Sequence, residues 1–181
     1  MQAASRNIVS DYRPHVVRTT AHIWAPPAVV FKLAADVEDW PSLLPHYRGV
    51  QVLRSRGSRR LVRMLASRDG FPVRWTSIQE LNPAGGRIFY RHVAGITRGM
   101  DVLWLLTPTA EGVQVSITHR FQPAWPLVPS VLVDWVINRL FVDAIATKTL
   151  RCIRQLAESQ ESHPGDGITP VERSSSHTPQ R

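Results

Sequence analysis

The stretch PPAVVFKLAADVEDWPSLLPHY, Pro26 to Tyr47, decides how the rest of the chain is read. Proline is tolerated at the start of a helix, where its missing N–H would be unpaired in any case, so Pro27 opens a helix running to about Ala35. Asp36 to Leu44 reads as a second short helix, closed by Pro45. Before this pair, His15 to Trp24 (HVVRTTAHIW) is β-rich, and period-two alternation places Val17, Thr19, Ala21 and Ile23 on one face of a strand. Two short helices between a first and a second strand are a distinctive layout.

Strand-like runs follow at Gly49–Ser55, Arg60–Arg68, Pro72–Leu81, Arg87–Ala94, Met100–Thr107 and Val113–Gln122. Short turns join them, among them Gly57-Ser58, Asp69-Gly70 and Glu111-Gly112, which predicts an antiparallel meander. After the proline-rich Pro123–Pro129, a long helix is expected from about Ser130 to Glu158. Its first half is apolar on nearly all sides, and its second half sets Lys148, Arg151 and Arg154 against Leu150, Ile153 and Leu156. An all-round apolar helix must be covered all round, by a sheet on one side and by a ligand-filled cavity or a partner elsewhere.

At 181 residues the chain fits one domain with tails: an arm over 1–14, a domain over 15–158, and a disordered polar tail over 159–181. The formal net charge of +8, mostly arginine and dense between Arg54 and Arg74, favours acidic partners without choosing among nucleic acid, anionic lipid and protein. The single cysteine, Cys152, excludes an intrachain disulfide and a cysteine-based zinc site, and a reducing cytoplasm is the expected home. Met1–Pro14 has no apolar core of signal-peptide type. Trp125–Ile145 is interrupted by Asp134, Asn138, Arg139 and Asp143, so no transmembrane segment is expected. His15 and His22 have opposite parity on one strand, and no metal-ligand cluster is evident. Phosphate-binding glycine loops, a Gly-x-Ser-x-Gly elbow and nucleic-acid motifs are all missing from the sequence, so no cofactor and no nucleic-acid partner is expected.

The order strand, two short helices, six antiparallel strands, long helix resembles the START-like helix-grip layout. Ala35-Asp36-Val37-Glu38-Asp39-Trp40-Pro41, with Leu44-Pro45-His46-Tyr47 after it, is similar to the D-V-x-x-W-P…Y stretch of the single-domain polyketide aromatase/cyclases, the tetracenomycin type among them. Arg74-Trp75-Thr76-Ser77 resembles their W-[TV]-S strand, and Trp104 falls at a strand-six tryptophan; the similarity spans roughly Ile23 to Leu156. The resemblance implies an α+β fold, a curved antiparallel sheet of about seven strands wrapped around the C-terminal helix. It implies a protein that binds a hydrophobic poly-β-ketone or aromatic intermediate and promotes aldol cyclisation and dehydration. The wider superfamily also holds non-enzymatic lipid and quinone binders, which is the alternative reading. The family's pocket tyrosine is matched by Tyr47, while its fourth-strand and fifth-strand arginines fall at Gln79 and near His92. Arg54, Arg56, Arg59, Arg60 and Arg63 are either a solvated sheet edge or a docking patch for an acidic acyl carrier protein.

Alternation predicts the pocket lining. Phe71, Val73, Trp75, Ser77, Gln79 and Leu81 share one face of the fourth strand, and Ile88, Tyr90 and His92 one face of the fifth. Met100, Val102, Trp104 and Leu106 do so on the sixth, and Val113, Val115, Ile117, His119 and Phe121 on the last, whose other face (Gln114, Ser116, Thr118, Arg120) is solvent-like. The candidate catalytic residues are His119, Tyr47, Gln79 and His92. Trp40, Trp75, Ser77, Tyr90, Trp104 and Trp135 are the candidate ligand contacts. Histidine suits proton removal near neutral pH, and Tyr or Gln suits holding an enolate by hydrogen bonds. The competing readings stay open at this point: His119 as a satisfied interior histidine, His92 exposed at a strand end, and the tryptophans as plain core.

Overall fold

A computed structural model describes residues 15–68, 71–95, 97–121 and 143–161. The elements run β1 (His15–Ile23), α1 (Pro27–Ala35), a 3-10 turn (Val37–Asp39), α2 (Trp40–Leu43), β2 (Tyr47–Arg56), β3 (Arg59–Arg68), β4 (Phe71–Asn82), β5 (Arg87–Gly95), β6 (Asp101–Thr109), β7 (Gly112–Phe121) and α3 (Asp143–Glu161). The strands form one seven-stranded antiparallel sheet in the order β1-β7-β6-β5-β4-β3-β2. This is the curved sheet with a terminal helix that the sequence predicts. It follows from hairpins for β2 to β7, with β1 returning to pair with β7 at its far edge.

Burial follows the predicted parity. Val73, Trp75, Ser77 and Gln79 on β4, Ile88, Tyr90 and His92 on β5, and Met100 with Val102, Trp104 and Leu106 at β6 are all buried. Val113, Val115, Ile117 and Phe121 on β7 join them, and His119 is half-buried. These side chains form the inner face, and Ala146, Leu150, Ile153 and Ala157 of α3 pack in the same core. Each large apolar side chain taken from water contributes about 1.5–3 kcal/mol.

Three details differ from the sequence reading. The region read as one helix over Asp36–Leu44 is a 3-10 turn followed by the separate helix α2. Pro41 explains the break, because its ring excludes an α-helical carbonyl four residues back, at Val37. Ser116, on the face read as solvent-like, is only 9% exposed. It is short and sits in register between Thr20 and Leu105 on the neighbouring strands. Helix α3 continues to Glu161, past the expected end at Glu158. The helix start near Ser130, Trp135, the Asp69-Gly70 turn, the arm over 1–14 and the tail over 162–181 lie outside the described residues. None of the described helices is long and apolar enough to cross a membrane.

The two short helices are fastened to the sheet by side chains. The last carbonyls of a helix have no partner within it and need one from elsewhere. Gln79 supplies that partner for α1, donating from Nε2 to the Ala35 carbonyl at 2.9 Å and to the Tyr90 hydroxyl at 3.0 Å. Tyr90 in turn donates, at 3.5 Å, to the Ala34 carbonyl. Trp40 donates from its indole to the Leu33 carbonyl at 2.9 Å, tying α2 back to α1.

Candidate functional site

Between the inner face of the sheet and α3 lies a cavity with about 630 Å³ of empty space, part of it open to solvent. Its lining is mostly apolar and aromatic with a few polar groups, which is the make-up of small-molecule sites. Its wall carries a chain of aromatic rings. Trp104 lies 6.3 Å from Trp40, Trp40 packs edge-on against Tyr47 at 4.7 Å, Tyr47 lies 6.2 Å from Trp75, and Trp75 stacks on His92 at 5.8 Å and 8°. Edge-on and offset contacts at these distances are favourable for rings. Trp40, Trp75 and Trp104 are therefore core residues and cavity wall at once.

The polar groups in this wall come from three strands and a helix. Tyr47, at the start of β2, is 6% exposed. Burial pushes its phenol pKa up, and a hydrogen bond from Thr149 of α3 offsets part of that rise. His92 stands on β5 just before a tight hairpin. Its Nδ1 lies 2.6 Å from Thr97 Oγ1. The hairpin is pinned on the outer face by a bidentate Arg91–Asp101 pair at 2.8 Å, and it brings both Thr97 and Met100 to the cavity. Gly95 makes the close approach to β4 feasible: its φ is +95°, and a Cβ there would lie 2.4 Å from the Arg74 carbonyl and 2.7 Å from Trp75 Cα.

His119 lines the cavity from β7, with Nδ1 buried and unpartnered. Burial pushes its pKa down to about 4, and burial with the neighbouring His119 pushes that of His92 to about 3. Both imidazoles are thus neutral at neutral pH. A neutral imidazole offers one N–H donor and one nitrogen acceptor, so the site is uncharged yet able to donate and accept. Among the described residues no three His, Cys, Asp or Glu side chains come together to hold a metal ion.

The structure therefore brings Tyr47, His92, His119, Trp40, Trp75, Tyr90 and Trp104 to one cavity. Ser77 and Gln79 are fully buried but do not border it. Gln79 is occupied in holding α1, its Oε1 and the Ser77 hydroxyl being buried without partners. His92 is buried rather than exposed at a strand end. The sequence reading missed Met64, Thr97, Ile145, Ala146 and Thr149. Met64 could have been found by alternation along β3. Helical spacing joins Ala146 and Thr149 to Leu150 and Ile153 on one face.

Comparisons with known proteins agree with this architecture. The model of the family described as polyketide cyclase / dehydrase and lipid transport matches residues 23–146. The actinorhodin polyketide synthase bifunctional cyclase/dehydratase of Streptomyces coelicolor is 33% identical over 110 residues, 59% of this chain and 34% of that protein. The granaticin polyketide synthase bifunctional cyclase/dehydratase of Streptomyces violaceoruber is 28% identical over 113 residues, 61% of this chain and 35% of that protein. The chain thus spans about a third of the length of these curated relatives. The crystal structure of the Zhui aromatase/cyclase from Streptomyces sp. R1128 superposes with a TM-score of 0.74 at 21% identity, over 86% of this chain and 100% of that one, and shares its fold.

Proposed function

The chain belongs to the polyketide cyclase/dehydrase and lipid-transport family, and from that premise we propose that its cavity binds a hydrophobic poly-β-ketone or aromatic intermediate and promotes aldol cyclisation and dehydration. The observation that carries this reading is the cavity's make-up: an aromatic, mostly apolar wall whose hydrogen-bonding side chains include Tyr47, His92 and His119. Ring contacts along Trp104, Trp40 and Trp75 suit a flat, unsaturated molecule, and holding a flexible polyketone in one fold lowers the barrier to ring closure. His119 takes the proton from a carbon between two carbonyls. The enolate formed beside it favours the imidazolium, so its proton affinity rises as the charge develops. Tyr47 and His92 donate hydrogen bonds to the oxygen that gains charge. The cyclase/dehydratase names of the relatives support the same chemistry.

The test is turnover of a poly-β-ketone by the purified protein. His119→Ala and Tyr47→Phe should each lower kcat by at least about 100-fold, as for loss of a general base or an oxyanion donor, with the thermal midpoint little changed. Full activity in both variants removes these residues from the chemistry.

A second reading, a non-enzymatic carrier of a lipid or quinone, is favoured by Gln79. The side chain at the position of the family's fourth-strand arginine is committed to the Ala35 carbonyl and holds no charge for a substrate. A prenyl quinone or fatty acid co-purifying in native mass spectrometry, with no turnover of polyketone, decides for it.

The substrate arrives, in this reading, on an acidic acyl carrier protein. The outer face of β2 and β3 presents Arg54, Arg56, Arg59 and Arg63, of which Arg59 pairs with Glu80 at 2.6 Å. Arg60 has the opposite parity and points to the inner face, where its charge reaches Tyr90, so the docking patch excludes it. Charge reversal at Arg54 and Arg63 should weaken carrier binding most at low salt.

A further inference from the structure

The cavity holds two histidines, and the fold treats them differently. His119 Nδ1 is buried with no partner among the described residues, whereas His92 Nδ1 lies 2.6 Å from Thr97 Oγ1. His92 and Thr97 both border the cavity, and each is only 6% exposed. Thr97 sits in the turn between β5 and β6, and that turn closes on the backbone of His92 itself. The His92 N–H donates to the Met100 carbonyl and the His92 carbonyl accepts from the Gly99 N–H, each at 2.9 Å, while the Met100 N–H donates to the Thr97 carbonyl at 3.1 Å. These bonds hold the Thr97 side chain within reach of the ring. The Trp75 indole, stacked on the imidazole at 5.8 Å and 8°, holds the plane of that ring. With Nδ1 occupied by Thr97, Nε2 is the nitrogen left for a bound molecule.

A neutral imidazole carries one N–H and one bare nitrogen, and the bond made at one nitrogen decides what the other offers. Two arrangements fit the His92–Thr97 distance. If Nδ1–H donated to Thr97 Oγ1, Nε2 would be a bare acceptor, and the Thr97 hydroxyl proton would be buried without an acceptor among the described residues. If Thr97 donates to Nδ1, both groups are satisfied and Nε2 carries the proton. A buried donor with no acceptor is costly, so the second arrangement is favoured.

We propose that Thr97 is a positioning residue: its hydroxyl donates to His92 Nδ1, holds the imidazole in the Nε2–H tautomer, and thereby makes His92 a hydrogen-bond donor to the oxygen of the bound molecule that gains charge. The proposal rests on the reading that a poly-β-ketone is cyclised in this cavity, and it explains why two neighbouring histidines take opposite parts. His92 has its tautomer set by Thr97 and donates. His119 has no such bond at Nδ1, is not held to the donor form, and can accept the substrate proton. Burial, and then the nearby His119, hold the His92 pKa near 3, so at neutral pH the ring is uncharged and its tautomer is what remains to be fixed.

The test needs no turnover in its first part. Nitrogen-15 NMR of the histidine side chains, with His92→Gln to assign the His92 signals, shows which ring nitrogen carries the proton. The wild type should show His92 protonated on Nε2. Thr97→Val, which keeps the branched shape and removes the hydroxyl, should move the Nδ1 resonance and populate the Nδ1–H form; Thr97→Ser keeps the hydroxyl and should do neither. A wild-type His92 protonated on Nδ1, or a His92 spectrum that Thr97→Val leaves unchanged, overturns the proposal. The wild-type and Thr97→Ser spectra decide where Thr97→Val folds poorly. In turnover, Thr97→Val should lower kcat about 10-fold at nearly constant KM, less than outright removal of an oxyanion donor because part of the population keeps Nε2–H, and Thr97→Ser should recover it. A wild-type kcat in a Thr97→Val protein whose tautomer has shifted also overturns the positioning role. A wild type that converts no polyketone at all defeats the proposed function instead, and the tautomer of His92 still decides whether Thr97 sets it.

Discussion

Acidification from about pH 7.5 to about pH 5 should destabilise this protein through two cavity histidines. Unfolded, His92 and His119 titrate near 6.5; folded, burial holds them near 3 and 4. Between those values the unfolded chain binds more protons than the folded one, so stability falls as pH falls. The contribution is complete above about 6.5 and lost progressively towards the folded values. At pH 5 each histidine binds about 0.97 proton unfolded and few folded, and integration gives about 2 kcal/mol per group, about 4 kcal/mol for both. That is a large part of an ordinary domain's stability. The assay is urea unfolding at several pH values. His119→Gln, which cannot titrate, should halve the pH-dependent loss from these two groups, and removing His92 as well should remove the rest. Burial of His46 acts in the same direction and leaves a smaller residual slope. If the wild type and the double variant lose the same stability between these pH values, the histidines are not held neutral in the cavity and the electrostatic account is wrong.

Two further outcomes test the supports of the site. Gln79→Met removes the donor to the Ala35 carbonyl and to Tyr90; the orphaned carbonyl should cost about 1–3 kcal/mol in urea unfolding, while affinity for a cavity ligand changes less than it does for Trp75→Ala. Gly95→Ala places a methyl against the Arg74 carbonyl at a positive φ; a loss of about 1–3 kcal/mol, with weaker ligand binding because the β4–β5 pairing beside Trp75 and His92 opens, is expected in the same denaturation and a fluorescence titration. A Gly95→Ala variant of wild-type stability would show that this contact does not set the site.

The inner face was legible because a half-buried strand repeats every two residues. Val73, Trp75, Ser77 and Gln79 could be assigned to one side of β4 without coordinates, and so could His119 on β7. Parity does not say what an inward side chain meets. Ser77 and Gln79 point inward with Trp75, yet Gln79 reaches the end of α1, and only the packing of α1 against the sheet shows this. Thr149 escaped notice for a related reason. On an amphipathic helix a threonine among Ala146, Leu150 and Ile153 reads as tolerated filler, and its hydrogen-bond partner, His46, lies about a hundred residues earlier. The arginines illustrate the same limit: Arg59 and Arg60 look alike in sequence, but strand parity sends one to the outer face and the other inward.

The claim beneath all of this is that a flat hydrophobic molecule occupies the space between the sheet and α3. It is tested most directly by titrating the protein with a tricyclic hydroxyanthraquinone while following tryptophan emission, in the wild type and in Ala146→Phe, whose added ring projects into the cavity from α3. The account predicts saturable one-to-one quenching in the wild type and its loss in the folded variant. Equal quenching in both, or none in the wild type with any planar hydrophobic probe, contradicts it.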